Sequence, residues 1–349
     1  MDLAILSAAR FAIREPFAGG MEAHTHALAE GLTQRGHKVT VYAADGDGQF
    51  DVHRMLPVDF RPSDHARRDV AALPNDVIAE HHSYLEAIVH LASSHHQLVH
   101  LNSVHHLPFA CTSLLQAPVT ATLHSPPTPW LESAVTIARR RRNPPRLTSV
   151  SRSNAAAWAA VGVDHVIENG VDLNVWRAGE GGEGAVWTGR IVPEKAPHLA
   201  IEACRRAGVP LRIMGPIHDV AYYDDFIAPR LGPDTTYLGH GTAADVADVV
   251  GRSSVAVVTP TWQEPFGLVV AEALACGTPV AAFACGALPD LVDADTGVLA
   301  PADDVEALSA ALLQAATLDR ATCRSRAEAR YSSHGMIDAY DQWFAAVVD

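Results

Sequence analysis

Short apolar runs and amphipathic stretches alternate along nearly the whole chain. Leu3–Ser7 has the length and apolarity of a buried strand. Met21–Gln34 follows, with Met21, Leu28 and Leu32 at near-helical spacing, and Val39–Ala43 is apolar again. Leu98–Leu101, Val119–Leu123 and Leu147–Val150 read as further strands with helices between them. Strands alternating with helices predict an α/β fold with a parallel sheet covered on both faces. The pattern then restarts. Ala185–Thr188, Leu211–Met214, Thr235–Leu238, Val255–Thr259 and Pro279–Phe283 read as strands, separated by helices near Glu194–Ala207, Ala243–Arg252, Leu268–Cys276 and Asp304–Ala316. The break lies near Asn169–Gly184, where Gly179, Gly181, Gly182 and Gly184 crowd among few apolar residues, and the linker is placed there. In the last segment, Gly335–Val348, Ile337, Tyr340, Phe344 and Val347 share one helical face. Such a two-sheet chain places its ligand at the carboxyl ends of strands, in the crevice between domains.

Composition agrees with this picture. A chain of 349 residues accommodates two domains of ordinary size, and 48% hydrophobic with 6% aromatic residues fits an Ala- and Val-rich α/β protein. No apolar run approaches the roughly 18–20 residues that a membrane span needs. The start, Met1-Asp2-Leu3-Ala4-Ile5-Leu6, has an acid where a signal peptide is basic, so a cytoplasmic location is expected. Cys111, Cys204, Cys276, Cys285 and Cys323 are scattered and odd in number, which argues for reduced thiols. A net charge of −14 disfavours nucleic-acid binding. Arg139-Arg140-Arg141-Arg142 is a local exception. It reads either as a solvated helix end or as a patch for an anionic acceptor or the periphery of a membrane. The 19 histidines include His81-His82, His95-His96, His100 and His105-His106. Adjacent histidines point apart and no Cys or Asp pattern completes a ligand set, so no metal is expected.

The densest chemistry lies in Glu264-Pro265-Phe266-Gly267-Leu268-Val269-Val270-Ala271-Glu272, which runs into Cys276-Gly277-Thr278-Pro279-Val280. The residue before a proline is pushed off the helical region, so Glu264 falls on a loop and Glu272 on the helix after it. Phe266, Gly267 and Leu268 then offer free backbone N–H groups at that helix's N-terminus, where phosphates bind. Two carboxylate acceptors for sugar hydroxyls beside a phosphate cradle point to a nucleotide-sugar site. Gly19 and Gly20, after the first strand, let backbone approach a ligand closely. The GxGxxG dinucleotide fingerprint is absent there, which removes the main support for a redox function.

The Glu264–Glu272 stretch resembles the E-x7-E signature of retaining glycosyltransferases of family 4. Further elements come in that family's order. Trp187-Thr188-Gly189-Arg190-Ile191-Val192-Pro193-Glu194-Lys195 is similar to its Gly-Arg…Lys element. Gly19-Gly20-Met21-Glu22 resembles its first glycine-rich loop, Arg35-Gly36-His37-Lys38-Val39-Thr40-Val41 its second strand, and Asn169-Gly170-Val171-Asp172 its interdomain connection. The resemblance covers nearly the whole chain and implies the GT-B fold, two Rossmann-like domains with parallel sheets facing across a crevice. Residues 1–170 would form the acceptor-binding domain and 171–334 the nucleotide-sugar-binding domain, with a C-terminal helix over 335–349 crossing back to the first.

The same resemblance implies roles. Arg190 and Lys195 would hold the diphosphate and stabilise its charge as the glycosidic bond breaks. Glu264 would accept hydrogen bonds from sugar hydroxyls and Glu272 from the ribose. His124, at the end of Val119–Leu123, matches a histidine placed near the donor sugar. The base would rest against backbone near Gly215-Pro216 and Leu238-Gly239-His240, and the phosphates near Phe266, Gly267, Leu268 and Val269, with Gly19 and Gly20 opposite. The expected reaction moves a sugar from a nucleoside diphosphate sugar, UDP favoured over GDP-mannose, to a hydroxyl with retention, giving an alpha linkage. No cofactor or metal is expected. An epimerase or phosphorylase in the same crevice, or a non-catalytic nucleotide-sugar-binding protein, are the alternatives. The acceptor is expected at loops Phe11–Phe17, Asn102–Pro108 and Ser125–Trp130, where Trp130 reads either as a stacking platform for a sugar ring or as packing beside the prolines. Lipid, glycan and small aglycone stay open, as does the oligomeric state.

Overall fold

The computed structural model describes residues 1–55 and 61–348. Asp349, the last residue of the expected C-terminal helix, lies outside them. Two sheets form, each wholly parallel. The first comprises β1 (Asp2–Leu6), β2 (Lys38–Ala43), β3 (Asp51–Arg54), β4 (Leu98–Leu101), β5 (Val119–Leu123), β6 (Arg146–Ser149) and β7 (His165–Val166), in the order β3-β2-β1-β4-β5-β6-β7. The second comprises β8 (Ala185–Thr188), β9 (Leu211–Met214), β10 (Thr235–Tyr237), β11 (Val255–Val258), β12 (Val280–Phe283) and β13 (Gly297–Ala300), ordered β10-β9-β8-β11-β12-β13. The order reverses at β1/β4 and at β8/β11, the switch points outside whose strand ends doubly wound sheets bind ligands. Every residue of β11 and β12 is buried. Helices on both faces remove the need for polar alternation, so these strands read as continuous apolar runs.

Each sheet separates two apolar clusters. One cluster of the first sheet includes Met336, Ile337, Tyr340, Trp343 and Phe344 from the final helix, Ser333–Val348. That helix therefore packs on the first sheet although it follows the second in sequence. A polar thread crosses the same face. His100, buried in the middle of β4, lies 2.9 Å from Thr120 Oγ1 and 3.1 Å from Thr122 Oγ1, and Thr122 Oγ1 lies 2.8 Å from the Tyr340 hydroxyl. Burial pushes the His100 imidazole down to about 3, so it sits neutral among hydroxyls that satisfy it.

Two expectations change, and one helix stands where none was expected. The linker is shorter than the glycine-rich region. The chain crosses beside its own return at Val171, whose N–H donates to Tyr331 C=O and whose C=O accepts from Ser333. The glycines beyond are docked on the second unit, where Cβ atoms would fall 2.3 Å from Gly251 O at Gly179 and 2.4 Å from Arg252 O at Gly182. They are small because backbone meets backbone there, not because the segment swings. The helix expected over Glu194–Ala207 is divided. A 3₁₀ turn, Pro193–Lys195, is followed by Ala196 in the left-handed region (φ 44°) and then by the helix Pro197–Ala207. Pro197 bars Ala196 from the right-handed helical region and so breaks the helix. Finally, the helix Arg320–Arg330 carries no apolar stripe, burying only Cys323 and Ala327. It docks through arginines instead. Arg320 donates to the carbonyls of Ser253, Gly251 and Cys276, and Arg324 to those of Trp176 and Ala275.

All five cysteines are free thiols. Among the described residues no helix is long and apolar enough to cross a membrane. Arg139 pairs with Asp164 and donates to Pro145 C=O, while Arg140, Arg141 and Arg142 are exposed.

Candidate active site

A cavity of about 980 Å³ lies between the carboxyl ends of the two sheets. Gly19, Gly20, His124, Arg190, Lys195, Gly215, Glu264, Phe266, Gly267, Leu268, Val269 and Glu272 all line it. Leu238 and Gly239 do not. The Leu238 side chain is 43% exposed, its N–H donates to Ile213 C=O, and Gly239 C=O accepts from Gly215. Their neighbours His240 and Gly241 face the cavity instead. The Arg139–Arg142 run is also absent from the lining.

Two helix N-termini meet across the crevice. The helix Gly20–Gln34 begins after Gly19 with no side-chain cap, and Leu268–Ala275 begins after Gly267 likewise. A Cβ on Gly20 would lie 3.5 Å from Leu268 Cδ2, and one on Gly19 would lie 3.2 Å from Glu22 Oε2 and 3.6 Å from Arg190 Cδ. Uncapped amide groups and the helix dipole make both termini electropositive. Gly267 holds φ 91°, and a Cβ there would sit 2.6 Å from Leu288 Cδ2. The Phe266 ring turns into the core beside Tyr331, so this residue brings backbone rather than side chain to the site.

Arg190 follows β8 and makes no hydrogen bond or ion pair among the described residues. Lys195 Nζ lies 2.5 Å from Glu264 Oε2, which also accepts from Trp262 Nε1 at 3.0 Å. Glu264 is only 7% exposed, and a buried carboxylate needs such partners. Its second oxygen has none among the described residues. Thr259 fixes the turn that carries Lys195. Its Oγ1 lies 2.9 Å from Lys195 O and 3.1 Å from Ala196 O, and accepts from Trp187 Nε1 at 3.1 Å. Gly286 supports Glu264 from behind: at φ 59° its Cβ would fall 2.3 Å from Glu264 N and O, and the Ala287 N–H donates to Glu264 C=O.

His124 Nε2 lies 2.5 Å from Asn102 Oδ1, and its ring meets His24 edge-on at 4.8 Å. Burial, with His24 and His100 nearby, pushes the His124 imidazole well below its ordinary value, and burial takes His24 down to about 4. Both rings are therefore neutral hydrogen-bonding groups at pH 7. Helical spacing from Gly20 places His24 one turn into the site, a signal present in the sequence but not used. Among the described residues, three buried polar atoms of the cavity lining have no hydrogen-bond partner: His24 Nε2, Ser125 Oγ and Asn169 Oδ1. Buried polar groups are nearly always satisfied, so these three are candidate ligand contacts. Thr259 and Gly286 left no motif-level trace, because they act on Lys195 and Glu264 from neighbouring strand ends, and Trp262 acts on Glu264 from two positions earlier in the same loop. Among the described residues no group of three or more His, Cys, Asp or Glu is placed to hold a metal ion. Loops of the two units also touch over the cavity: Phe11 stacks on His218 at 5.7 Å, and His240 Nε2 lies 3.1 Å from Phe17 O.

Glu272 is held against its charge. Desolvation alone pushes its carboxyl up to about 8. Below the unfolded value near 4.5 both states are protonated. Between that value and about 8 the unfolded chain ionises while the folded one does not, so folding stability falls as pH rises, then levels off above 8. Glu272→Gln removes that slope. At pH 8 the variant should be more stable than the parent by about 2–3 kcal/mol, after allowance for solvent reaching the cavity, with no difference at pH 4.5. Urea denaturation at the two pH values checks this; equal midpoints at pH 8 would discard it. A carboxyl kept at such a cost in the wall of a cavity makes Glu272 a candidate binding residue.

Two family models match the chain in succession, Glycosyltransferase Family 4 over residues 18–175 and Glycosyl transferases group 1 over residues 174–332. A D-inositol 3-phosphate glycosyltransferase of Mycobacteroides abscessus is 36% identical over 166 residues, which are 40% of this chain and 36% of that protein. The chain thus spans well under half the length of this curated relative. The Anabaena protein Alr3699/HepE in complex with UDP-glucose superposes with a TM-score of 0.76 at 17% identity, covering 98% of this chain and 99% of that one. A sucrose-phosphate synthase from Thermosynechococcus elongatus gives 0.74 at 20% identity, over 99% and 100%. At these identities the likeness is one of fold, and that fold is GT-B.

Proposed function

Because the chain belongs to glycosyltransferase family 4, we infer that it moves a sugar from a nucleoside diphosphate sugar to a hydroxyl acceptor, retaining the anomeric configuration and giving an alpha linkage. The observation that carries this reading is Arg190, a guanidinium with no hydrogen-bond or ion-pair partner among the described residues, in the same cavity as an uncapped helix N-terminus, the Glu264 carboxylate and the neutral Glu272 carboxyl. A diphosphate fits between the cation and the amides, while a ribose and a hexose need the carboxylates. UDP is the favoured nucleotide, in line with the UDP-glucose bound by the Anabaena neighbour, and GDP-mannose is second.

In this mechanism the acceptor oxygen bonds to the anomeric carbon as the bond from that carbon to the β-phosphate oxygen breaks on the same face. The acceptor's proton passes to the departing phosphate oxygen, which takes the electron pair. Arg190 and Lys195 stabilise the growing diphosphate charge together with the Gly267–Val269 amides. Lys195 exchanges part of its contact with Glu264 for phosphate when the donor arrives. Glu264 offers its free oxygen to a sugar hydroxyl, and neutral His124 binds another. No carboxylate serves as a covalent nucleophile and no metal takes part. A beta-linked product by NMR would exclude the mechanism.

The direct test is thermal stabilisation of the purified protein by UDP, GDP and their sugars. A nucleotide at about 100 times its dissociation constant should add about 2.7 kcal/mol of apparent stability. A shift with one nucleotide identifies the base. No shift with any of them refutes the donor assignment.

A further inference from the structure

Four aromatic rings of the first unit form a continuous ladder; Tyr84 and His105 line the cavity, and His106 and Trp130 continue the stack beyond its lining. Tyr84 stacks on His105 at 4.3 Å, His105 on His106 at 4.5 Å, and His106 meets Trp130 at 4.6 Å. The ladder climbs from a buried Tyr84 on the cavity wall to a Trp130 that is 68% exposed. Burial and the neighbouring His106, His81 and Arg10 push the His105 imidazole down to about 3, so it is uncharged at neutral pH. Its Nδ1 accepts from the Leu107 N–H at 3.2 Å, which leaves Nε2 as an N–H donor. Phe11 and Val104, both exposed, line the same mouth.

The charges of this wall point the same way. From the first unit, the cavity lining takes four carboxylates, Glu15, Glu22, Glu30 and Glu80, and one cation, Arg10. Arg10 is already engaged, its Nε 2.7 Å from Glu80 and its NH2 3.6 Å from Asp76. Arg190 and Lys195 stand on the opposite unit, where the donor diphosphate would occupy them. A second phosphate entering beside Glu15 and Glu80 would face net negative charge, because the one cation among the described first-unit lining residues, Arg10, is already paired.

We propose that the acceptor is an uncharged molecule that lays a flat, apolar ring face on Trp130, the exposed end of this stack, and directs its reacting hydroxyl past the edge of His105 into the cavity. This rests on the transferase reading above and narrows the acceptor that reading left open. A sugar ring, through its C–H face, and an aromatic aglycone share this chemistry. The indole supplies the stacking face, and the His105 Nε2–H supplies a hydrogen bond without attracting anions.

The test uses the full chain saturated with UDP, titrated with four probes: methyl glucoside, 2-naphthol, phenyl glucoside, and phenyl glucoside 6-phosphate. Phenyl glucoside should bind at least about ten-fold more tightly than its 6-phosphate, the scale of one uncompensated charge contact. Methyl glucoside or 2-naphthol, whichever binds better alone, tells whether the shelf takes the sugar or the aromatic ring. Trp130→Ala should weaken phenyl glucoside about three- to ten-fold, and Trp130→Phe should restore most of the loss. Equal or tighter binding of the 6-phosphate overturns the proposal, as does no binding of any neutral probe, or full affinity in Trp130→Ala. UDP affinity, read on the same samples, separates the two inferences: without UDP binding the donor site itself is wrong.

Discussion

Arg190→Ala should lower the rate of sugar transfer by about 10²–10³-fold, the usual loss when one fixed group that stabilises developing charge is removed. Folding should be nearly unaffected, because the guanidinium makes no hydrogen bond or ion pair among the described residues. Two groups register its charge: Glu22, whose carboxyl burial raises while its own backbone amide and Arg190 pull it back, and His218, whose imidazole burial and Arg190 both lower. Arg190→Lys should recover only part of the rate, since a point charge replaces a fork that holds two phosphate oxygens. Steady-state UDP release with a working acceptor measures this, with the melting temperature as control. A rate within about three-fold of the parent would remove Arg190 from the diphosphate site.

Gly215→Ala should damage the site through the backbone, with a cost above about 4 kcal/mol. The strand ends of the second sheet are bound by glycines: Gly189 (φ 143°), Gly215 (φ 146°) and Gly239 (φ 88°) follow β8, β9 and β10. The Gly215 N–H donates to Gly239 C=O, and the Gly189 N–H donates to Met214 C=O. A Cβ on Gly215 would lie 1.9 Å from Gly189 O and 2.8 Å from Gly189 C. Both obstacles are backbone, so no rotamer change relieves the clash, and the φ itself is unfavourable for an L side chain. The segment that must yield carries Arg190. The melting temperature should fall by roughly 5–10 °C and stabilisation by UDP should vanish. Scanning fluorimetry with and without UDP decides it, and a variant that melts and responds like the parent would show that the two turns can separate freely.

The sequence by itself determined the two parallel sheets, the extent of most strands, and the motif residues around the crevice. These are local properties: apolar runs of strand length, helical periodicity, and a proline that forces Glu264 off the helix holding Glu272. It was silent on β3, β7 and β13, which are short edge strands too polar or too brief to show a pattern. It was silent also on Arg320–Arg330, held by arginine–carbonyl bonds rather than by an apolar face. Only the tertiary structure paired Lys195 with Glu264, 69 positions apart, and set Thr259 and Gly286 behind them. Only it showed that Leu238 and Gly239 spend their backbone groups on neighbouring strands, leaving the cavity to His240 and Gly241. The aromatic ladder from Tyr84 to Trp130 likewise comes from three separate loops and helices. Chain pattern fixes which residues stand at strand ends. Which strand ends then meet, and which buried polar atoms find partners, depends on close packing between elements distant in sequence.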